Sequence, residues 1–523
     1  MKNYKVLITT SGLGQRLGYL TTYTNKALVR IGKKPAISYI VESYPKNIEL
    51  VVTLGYYGNQ VKDFLELVYP ERKIQYVEVD KYEGKGTSLG YSMLQAKNKL
   101  QCPFIYHASD TLVEEPIPKV SGENWVGGYR SSNSTNYASF NVVRNTLTRI
   151  NDKGAINFDY LHIGLIGIND YISFWDELFR LYKKNPTSGT LNDSQTINSM
   201  IDKGASFRLH EFNSWMDTGN VDGLSKAREM IKDQFHNLDK KDESVFLFDE
   251  SVIKFYFDKK RVKEKVKRAT LLSPLVPKVF GQKGNFFKYQ YSKGNLYSRV
   301  VTPVDFKNFL DWCNSNLWTR PARLKAQLFK SACKEFYKDK TLKRVQDFRE
   351  QNSIADSPDT VNGESMPTLE EMLNSIDINW LSNGEPRRIH GDLILENIIK
   401  KKNGYSLLDW RENFGGLVEM GDVYYDLAKL NHNLTVNHDL VYDNMFIIEN
   451  NNGAITCDIH RKQILVDSQE VLFEYIRKNG FDKKKVRVLT AIVWLNMSPL
   501  HHYPFNKFLY YFGKYNLWRE INK

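Results

Sequence analysis

The strongest constraint on the fold is a regular alternation of short apolar runs with amphipathic stretches along roughly the first 230 residues. Short runs rich in β-branched and aromatic residues predict strands, whereas apolar residues at spacings of three and four predict helices. The predicted strands are "KVLITT", "IELVVTLG", "IQYVEV" and "PFIYHA", and the predicted helices are "PAISYIVESY" and "TSLGYSMLQAKNKL". This alternation predicts an α/β fold, in which a mostly parallel sheet carries helices on its faces and binds ligands beyond the carboxyl ends of its strands.

The pattern changes after residue 230, which indicates a second domain. The polar stretch "MIKDQFHNLDKKDES" (230–244) marks the boundary, and a hairpin, "SVFLFDESVIKFYFD", and a strand, "NFFKYQY", follow it. After Pro303 the pattern is mainly helical, with "DSPDTVNGESMPT" (356–368) as a loop. Because 523 residues exceed one typical core, we expect two domains, at 1–235 and 240–523.

The charge balance allows two classes of partner. The chain has 73 Lys and Arg residues against 60 Asp and Glu residues, a formal net charge of +13. This excess suits either nucleic-acid binding or a mildly basic enzyme that handles anionic substrates. The basic residues are dispersed, which favours the enzyme and no nucleic-acid partner. The densest run, "KKRVKEKVKR" (259–268), predicts one solvated helix face.

Cysteine spacing and hydropathy predict a cytoplasmic protein. The four cysteines lie far apart and form no CxxC pair, which is typical of reduced thiols. The start, "MKNYKVLITT", lacks the long apolar stretch of a signal peptide. No run of about 18 apolar residues occurs, so we expect no membrane insertion.

The first candidate site is the loop "ITTSGLGQRLGYLTTYTNKAL" (8–28). A dinucleotide fingerprint needs a third glycine where Leu17 stands, and no Lys-Ser or Lys-Thr pair completes a Walker A loop. A nucleotidyltransferase loop fits better. In such a loop Gly12 and Gly14 would let the backbone close on a triphosphate, Arg16 would neutralise it, and Lys26 would meet the α-phosphate.

The wider stretch resembles the GxGxRL…PK signature of the sugar-1-phosphate nucleotidyltransferase family. The order Gly12, Gly14, Arg16, Leu17 is followed by Asn25-Lys26, where the family usually has Pro-Lys. The resemblance covers roughly residues 1–230 and implies a Rossmann-like sheet with flanking helices.

Three later segments continue this resemblance. "GKGTSLGYSML" is similar to the family's Gly-Thr turn before a helix, which implies nucleotide contacts at Gly86 and Thr87. "FIYHASDTLV" and "WMDTGN" imply metal-binding carboxylates at Asp110 and Asp217. Outside this series each aspartate would be interpreted as a turn or cap residue. Val79 stands where the family often has a base-reading glutamine, so the nucleotide base stays open.

The family chemistry explains these residue types. A phosphate oxygen of the acceptor attacks the α-phosphorus of a nucleoside triphosphate, and pyrophosphate leaves. Both reactants are anions, so cations must bring them together and absorb the developing charge. Arg16 and Lys26 are the expected cations, and Asp110 and Asp217 are the expected ligands of Mg²⁺.

A second phosphate site is indicated by "RRIHGDLILENIIKKKNGYSLLDWRE" (387–412). This segment and "GDVYYDLAKL" (421–430) resemble the catalytic core of the aminoglycoside phosphotransferase and choline kinase family, which shares the protein-kinase fold. The resemblance covers about residues 240–523 and implies a bilobal domain with an N-lobe at about 244–300. It implies that Asp392 orients or deprotonates a substrate hydroxyl, that Asn397 and Asp409 hold Mg²⁺, and that His390 braces the loop.

The resemblance also implies nucleotide-binding residues in the N-lobe. Lys254 stands on a predicted strand, and Glu264 on the next helix is its expected partner or an exposed helix charge. Tyr289 and Tyr291 are expected beside adenine. The C-terminal segment "AIVWLNMSPLHHYPFNKFLYYFGKYNL" (491–517) predicts packed helical core or, alternatively, an acceptor wall that includes His501 and His502.

The two resemblances together imply a two-step enzyme. A small hydroxylated metabolite would be phosphorylated by ATP, and the ester would then react with an NTP to give an NDP-activated metabolite for surface polysaccharide synthesis. The Gly-Thr turn favours a sugar, and the kinase resemblance allows an amino alcohol or polyol with a CDP product. A non-catalytic role for one domain, as a binding or regulatory module, is the remaining alternative. The sequence leaves the oligomeric state open.

Overall fold

A computed structural model describes residues 4–231, 241–320 and 326–522. The chain forms two compact units. The first comprises Met1–Val262 with Phe280–Tyr291, and the second comprises Lys263–Val279 with Ser292–Lys523. The predicted boundary at 235–240 lies outside the described residues, as does most of the polar stretch 230–244, so that boundary stays a prediction.

The first unit is built on a nine-stranded sheet. Across the sheet the strands follow the order Ile74–Glu78, Glu49–Leu54, Lys5–Thr9, Phe104–Ala108, Tyr160–Ile168, Asn124–Tyr129, Phe207–Phe212, Thr146–Asn151 and Ser139–Val143. The four strands predicted from the sequence are thus confirmed, and they are adjacent.

Strand direction divides this sheet. The four predicted strands pair in parallel. Tyr160–Ile168 then runs antiparallel to both of its neighbours, and the last two strands of the order form an antiparallel pair. The prediction of a mostly parallel sheet therefore holds for one half, whereas the other half is mixed, since Phe207–Phe212 pairs in parallel with Asn124–Tyr129. The other half differs because its chain returns through short connections, as between Ser139–Val143 and Thr146–Asn151.

Helices cover both faces of the sheet. Successive residues of the first strand, such as Leu7 and Ile8, belong to apolar clusters on opposite faces. The helices of this unit are Ala36–Glu42, Gly58–Val68, Leu89–Gln95, Tyr171–Lys184, Asp193–Ile201 and Val221–Met230, with 3₁₀ turns at Gln15–Thr21, Lys26–Leu28 and Lys97–Lys99. Both helices predicted from the sequence are confirmed.

A second sheet completes this unit. Its strands, in spatial order, are Glu243–Phe248, Ser251–Tyr256, Phe286–Gln290 and Val279–Lys283. The predicted hairpin and the predicted strand "NFFKYQY" are confirmed. The ring of Phe64 lies 5.5 Å from that of Phe246 and 5.6 Å from that of Phe286, so this sheet shares its core with the helix Gly58–Val68.

The second unit is mainly helical, as predicted. Its longer helices, with the one that leads into it, are Lys259–Leu272, Pro303–Trp312, Ala326–Lys334, Lys340–Asn352, Val423–Thr435, Gln463–Lys478, Lys483–Met497 and Phe505–Ile521. Shorter helices lie at Tyr297–Val300, Leu369–Ser375, Ile378–Ser382 and His438–Tyr442, with π-helical turns at Cys313–Leu317 and Glu335–Asp339 and 3₁₀ turns at Leu395–Asn397 and Ser498–Leu500. Its strands are Asn295–Leu296, Asp359–Val361, Glu364–Met366, Pro386–Arg387, Ile398–Lys401, Gly404–Leu407, Gly421–Asp422, Phe446–Asn451 and Ala454–Ile459.

Two sequence predictions for this unit are wrong in part. The predicted loop 356–368 contains a hairpin, in which Asn362 and Gly363 form the turn at φ values of 50° and 79°. Asn-Gly is a strong signal for such a turn. The basic run 259–268 forms the expected helix, yet Lys265 is only 3% exposed and Arg268 only 2%, so this helix is not one solvated face.

Two further observations concern membrane-spanning helices and the cysteines. In the parts of the chain that the structure describes, no helix is both long and apolar enough to cross a bilayer. All four cysteines are free, and three of them are buried.

Candidate active sites

The first candidate site begins where the strand Lys5–Thr9 ends. The backbone N–H and the hydroxyl of Thr10 both donate to the carbonyl of Thr53, at 3.2 and 2.6 Å. The backbone N–H of Tyr56 donates to the carbonyl of Ser11 at 3.0 Å. The glycine-rich loop is thereby fixed to the next strand at the carboxyl edge of the sheet, which is where α/β folds bind ligands.

Gly14 gives this loop its shape. Its φ of +69° lies in the left-handed region that favours glycine, and a Cβ there would lie 2.9 Å from the Cβ of Lys26. Gly12 has no neighbour within 4 Å of the corresponding position, so its backbone is open to a ligand. The side chain of Arg16 is 57% exposed and extends from the 3₁₀ turn that follows.

Asn25 connects this loop to Lys26. Its side-chain amide is completely buried and donates to the carbonyls of Thr10 and Tyr56, at 2.8 and 2.5 Å. Its Oδ1 accepts from the backbone N–H of Ala27 at 2.9 Å and so caps the turn that carries Lys26. The sequence showed Asn25 only as a departure from the family signature, whereas the structure shows it as the brace of the lysine.

Asp110 and the two predicted cations come together. Lys26 Nζ lies 2.9 Å from Asp110 Oδ2, and Arg16 Nη2 lies 3.9 Å from the same oxygen. Burial by itself disfavours the ionised carboxyl. The pKa of Asp110 is nevertheless lowered, because Lys26 and Arg16 stabilise its charge.

Asp217 is brought to the same place by a short strand pair. Asp217 pairs with Thr111, and the backbone N–H of Thr218 donates to the carbonyl of Asp110 at 2.8 Å. A Cβ at Gly219 would lie 2.6 Å from Asp110 Oδ2 and 3.1 Å from Asp217 Oδ1. Both carboxylates therefore border the small space that this glycine leaves open.

The environment of Asp217 differs from that of Asp110. Tyr137 Oη and Asn220 Nδ2 donate to its Oδ2 at 3.0 and 2.6 Å, and the backbone N–H of Gly219 donates to its Oδ1 at 2.8 Å. The pKa of Asp217 is raised, first by burial and then by the negative charge of Asp110. The two carboxylates thus have pKa values displaced in opposite directions, which is typical of functional sites.

Aromatic side chains stand beside Asp217. The ring of Trp215 lies 4.8 Å from that of Tyr137 and 5.6 Å from that of Tyr129, and all three are half-buried. We call these three residues the aromatic wall. Sequence reasoning missed it because its members come from three separate segments, although Trp215 stands in the quoted motif "WMDTGN".

His107 is a further residue that sequence reasoning missed. It is buried beneath the Asp110 turn, where Tyr44 Oη lies 2.8 Å from its Nδ1 and the carbonyl of Thr111 lies 2.9 Å from its Nε2. Since a carbonyl can only accept, Nε2 donates and the ring is neutral when Nδ1 accepts from the tyrosine. Burial lowers the pKa of His107 to about 4, so it is a brace for the turn.

The Gly-Thr turn precedes the helix Leu89–Gln95. Gly86 has a φ of +86°, and the hydroxyl of Thr87 donates to the carbonyl of Gly84 at 2.9 Å. Ser88 caps the helix by accepting from the backbone N–H of Tyr91 at 3.0 Å. Val79 is buried. The nucleotide roles of Gly86 and Thr87 stay predictions.

The second candidate site is centred on Asp392. Lys429 Nζ lies 2.8 Å from Asp392 Oδ1. Asn397 Nδ2 donates to the carbonyl of Asp392 at 2.9 Å, and the carbonyl of Asn397 accepts from Leu408 at 2.7 Å. Asn397 is thereby held beside the segment that leads to Asp409. Burial opposes ionisation of Asp392, but Lys429 holds the pKa of this carboxyl well below its usual range.

The loop that carries Asp392 is fixed from behind by Asp426. This buried carboxylate accepts from the backbone N–H groups of His390 and Gly391, at 2.8 and 2.7 Å, and from Trp318 Nε1 at 3.0 Å. His390 is also buried, and its Nδ1 accepts from the backbone N–H of Asp392 at 3.3 Å. Burial lowers the pKa of His390 to about 4, which agrees with the expected bracing role.

Asp409 has a buried lysine as its neighbour. Lys265 Nζ lies 3.3 Å from Asp409 Oδ1 and also donates to the carbonyl of Trp410. The sequence indicated Glu264 rather than Lys265 as the functional residue of this helix. Glu264 accepts from Asn413 Nδ2 at 2.6 Å, and its nucleotide role stays a prediction.

The remaining predicted nucleotide residues lie in the first unit. Lys254 is buried on the strand Ser251–Tyr256, opposite Val245 and Phe287. Tyr289 is opposite Val252 on the neighbouring strand, and Tyr291 donates its backbone N–H to Glu250 at 2.9 Å. Their roles beside a nucleotide stay predictions.

The C-terminal aromatic segment forms core, as one of its two interpretations expected. The helices Lys483–Met497 and Phe505–Ile521 bury most of its apolar side chains. His501 contacts the ring of Phe505 at 5.0 Å, and His502 is exposed.

Within the described ranges, no group of three or more His, Cys, Asp and Glu side chains is arranged to hold a metal ion. Each site instead offers two oxygen-bearing side chains, Asp110 with Asp217 and Asn397 with Asp409. Mg²⁺ is commonly held by one or two carboxylates together with substrate phosphates, so both donor sets fit this ion.

Comparison with known proteins gives similarities to nucleotidyltransferases. No protein-family model matches the chain. The choline-phosphate cytidylyltransferase of Streptococcus pneumoniae is 33% identical over 110 residues, which are 21% of this chain and 45% of that protein. The chain therefore spans less than half the length of the curated relative it matches.

Solved structures of two related enzymes are also similar. The CTP:phosphocholine cytidylyltransferase from Streptococcus pneumoniae is 20% identical, with a TM-score of 0.38, and the match covers 44% of this chain and 100% of that chain. The inositol-1-phosphate CTP transferase from T. maritima is 18% identical, with a TM-score of 0.37, over 45% of this chain and 96% of that chain. These similarities concern the N-terminal region.

Proposed function

We propose that the first unit transfers a nucleotidyl group from an NTP to a phosphate monoester. The observation that carries this proposal is the convergence of Lys26, Asp110 and Asp217 on the space beside Gly219, at the end of a glycine-rich loop. A phosphate oxygen of the monoester bonds to the α-phosphorus, the bond to the β-phosphate oxygen breaks, and pyrophosphate leaves.

Each residue of this site has a distinct task. The open backbone at Gly12 and Gly14 receives the triphosphate. Arg16 and Lys26 neutralise the phosphates that must approach each other. Asp110 and Asp217 hold Mg²⁺, which when bound supplies positive charge and a template for the phosphates. Asn25 positions Lys26 relative to the loop.

The second unit is the proposed site of phosphoryl transfer from ATP. Asp392 orients the acceptor hydroxyl and accepts its proton, while the hydroxyl oxygen bonds to the γ-phosphorus and the bond from that phosphorus to ADP breaks. The ionised state that Lys429 maintains at Asp392 supports this role. Asn397 and Asp409 are the proposed Mg²⁺ ligands.

The two activities form a sequence, because the first step makes the phosphate monoester that the second step consumes. The product is an NDP-activated metabolite. We propose a sugar as the acceptor class, with surface polysaccharide synthesis as the use of the product. Both steps need only water-soluble partners, namely ATP, an NTP and the acceptor, which agrees with a cytoplasmic location.

A CDP-activated amino alcohol or polyol is the second candidate product. The aromatic wall beside Asp217 is compatible with it, because aromatic faces attract cationic head groups. The similar protein of Streptococcus pneumoniae, a choline-phosphate cytidylyltransferase, points in the same direction.

Pyrophosphate release tests the first activity directly. The full chain is incubated with Mg²⁺, each NTP in turn, and phosphate monoesters of sugars, amino alcohols and polyols. Release that requires one NTP and one monoester, and that Lys26→Ala abolishes, supports nucleotidyl transfer. If no combination releases pyrophosphate from folded protein, the proposal fails and a binding-module role gains support.

A further inference from the structure

The second unit contains a cluster of basic side chains that the proposed reaction does not use. Lys340 and Arg344 lie one turn apart on the helix Lys340–Asn352, directly after the π-helical turn Glu335–Asp339. Lys340 Nζ lies 3.9 Å from the ring centre of Phe336, and the Arg411 guanidinium lies 4.9 Å from the same ring. We call Lys340, Arg344 and Arg411 the basic cluster.

The basic cluster borders the candidate phosphoryl-transfer site. The backbone N–H of Arg411 donates to the carbonyl of His390 at 3.0 Å. A Cβ added to Gly391 would lie 2.6 Å from the Cβ of Arg411, so this arginine packs directly on the residue before Asp392. The Arg411 guanidinium also lies 5.9 Å from the ring of Tyr425, on the helix that carries Lys429.

The charges of the cluster are not compensated by ion pairs. Among the residues that the structure describes, Lys340, Arg344 and Arg411 form no ion pair, whereas the neighbouring Lys429 pairs with Asp392. The pKa of Lys340 is lowered, first by burial and then by the charges of Arg411 and Arg344, while Glu412 acts in the opposite sense. The pKa of Arg344 is also lowered, first by burial; Asp347 opposes this effect and the charge of Arg411 adds to it.

Three half-buried cations in mutual repulsion cost stability, which an anionic ligand would recover. We propose that the basic cluster binds an acidic group, a carboxylate or a phosphate, of the metabolite whose hydroxyl is phosphorylated at Asp392. This inference rests on the phosphoryl transfer proposed above and narrows its substrate class to hydroxylated acids. The same charges repel choline and ethanolamine, so they select against cationic acceptors.

ATP is a second source of anionic oxygens for the cluster. The acceptor is the better fit, because the proposed nucleotide already has Asn397 and Asp409 with Mg²⁺ on its phosphates. The cluster instead flanks the aspartate that meets the acceptor hydroxyl. An experiment can separate the two sources, since acceptor and nucleotide have separate Michaelis constants.

The test uses the full chain with ATP and Mg²⁺ and measures ADP formation. Acceptors are offered in matched pairs that differ by the acidic group: glycerate against glycerol, serine against ethanolamine, and gluconate against glucitol, with choline as a further cationic compound. Binding of each pair is also measured by calorimetry. Lys340→Gln and Arg344→Gln are compared with Lys343→Gln, a matched charge loss at an exposed position on the same helix.

We expect the acidic member of one pair to bind and react, and its neutral or cationic partner to fail. Lys340→Gln and Arg344→Gln should raise the KM for this acid by about ten- to a hundredfold, with the KM for ATP and the Lys343→Gln kinetics unchanged. Efficient phosphorylation of choline, ethanolamine or a neutral polyol would overturn the inference but leave the kinase proposal intact. A raised KM for ATP alone would assign the cluster to the nucleotide and also overturn it. If no compound either binds or leads to ADP, the phosphoryl-transfer proposal fails together with the inference.

Discussion

Lys429 Nζ lies 2.8 Å from Asp392 Oδ1, so a buried ammonium group neutralises the carboxylate that the proposed phosphoryl transfer requires. Burial alone would favour the protonated acid. The lysine reverses that preference, and the pKa of Asp392 lies well below its usual range as a result. The ionised form of this carboxyl is therefore present throughout the physiological pH range.

The first prediction concerns this pair. In Lys429→Met the burial of Asp392 loses its main opposing charge, so the pKa of Asp392 rises and the ionised fraction falls at acidic pH. The acidic limb of the kcat profile for ADP formation should move to higher pH. Lys462→Met, which removes the lysine of the exposed pair with Asp439, is the control and should leave the profile in place. An unshifted acidic limb in folded Lys429→Met would show that Asp392 does not need its ammonium partner.

The second prediction concerns Asn25. In Asn25→Asp the cap on Ala27 remains, but a carboxylate then faces the carbonyls of Thr10 and Tyr56. We expect the free energy of unfolding to fall by about 2–4 kcal/mol, measured with urea at neutral pH. Asn98→Asp makes the same chemical change at an exposed site and should be close to neutral. Equal stability of the two variants would mean that the Asn25 amide does not hold the loop.

The third prediction concerns Gly219. The added methyl group of Gly219→Ala would lie 2.6 Å from Asp110 Oδ2, in the space that both carboxylates border. Pyrophosphate formation should fall by roughly a hundredfold or more, the scale of losing one electrostatic contact in a transition state. ADP formation by the same preparation is the internal control and should be unchanged. If this variant forms pyrophosphate at the rate of the unmodified chain, the metal does not bind in the space between Asp110 and Asp217.

The fourth prediction concerns pH and Mg²⁺. The pKa of Asp217 is raised by burial and by Asp110, so this carboxyl takes up a proton at a higher pH than an ordinary aspartate. A proton competes with the metal for the same oxygens. The Mg²⁺ concentration for half-maximal nucleotidyl transfer should therefore rise as the pH falls from 8 to 5. If the Mg²⁺ concentration for half-maximal transfer stays constant over that pH range, Asp217 is not a ligand of the ion.

Local sequence patterns predicted the elements around the first site but not their directions. The strands from Lys5–Thr9 to Phe104–Ala108 are short apolar runs separated by helices. This alternation is typical of parallel sheets, because their strands are buried between helices that connect them. Tyr160–Ile168 is also a mainly apolar run, interrupted by His162. Its antiparallel direction depends on how the chain returns to the sheet, which an apolar run does not encode.

The motif residues of the first site were predicted from the sequence, whereas the residues that hold them in position were not. Lys26, Asp110 and Asp217 stand in recognisable motifs, and the structure brings them together. Asn25 bonds to the carbonyl of Tyr56, 31 residues away, and no local pattern announces such a bond. His107 stands inside the quoted segment "FIYHASDTLV", but its role depends on the distant Tyr44.

The second unit shows the same division. Asp392, Asn397 and Asp409 follow a compact pattern, and hydrogen bonds hold their segments side by side. The basic cluster joins Arg411 to a helix some 70 positions earlier, and no local pattern connects these residues. The turn at Asn362 did carry a local signal, because Asn-Gly favours a hairpin.

We propose that the chain joins two independent sites through one phosphate ester. Phosphorus NMR of the full chain with ATP, Mg²⁺, the NTP and the free acceptor tests it most directly, with Asp392→Ala and Lys26→Ala in parallel. We predict a diphosphodiester signal from the unmodified chain and only a phosphate monoester from Lys26→Ala. Asp392→Ala should give no new signal from the free acceptor but the diphosphodiester from the supplied ester. Loss of both activities in either folded variant, or a diphosphodiester from free acceptor in Asp392→Ala, would contradict the account.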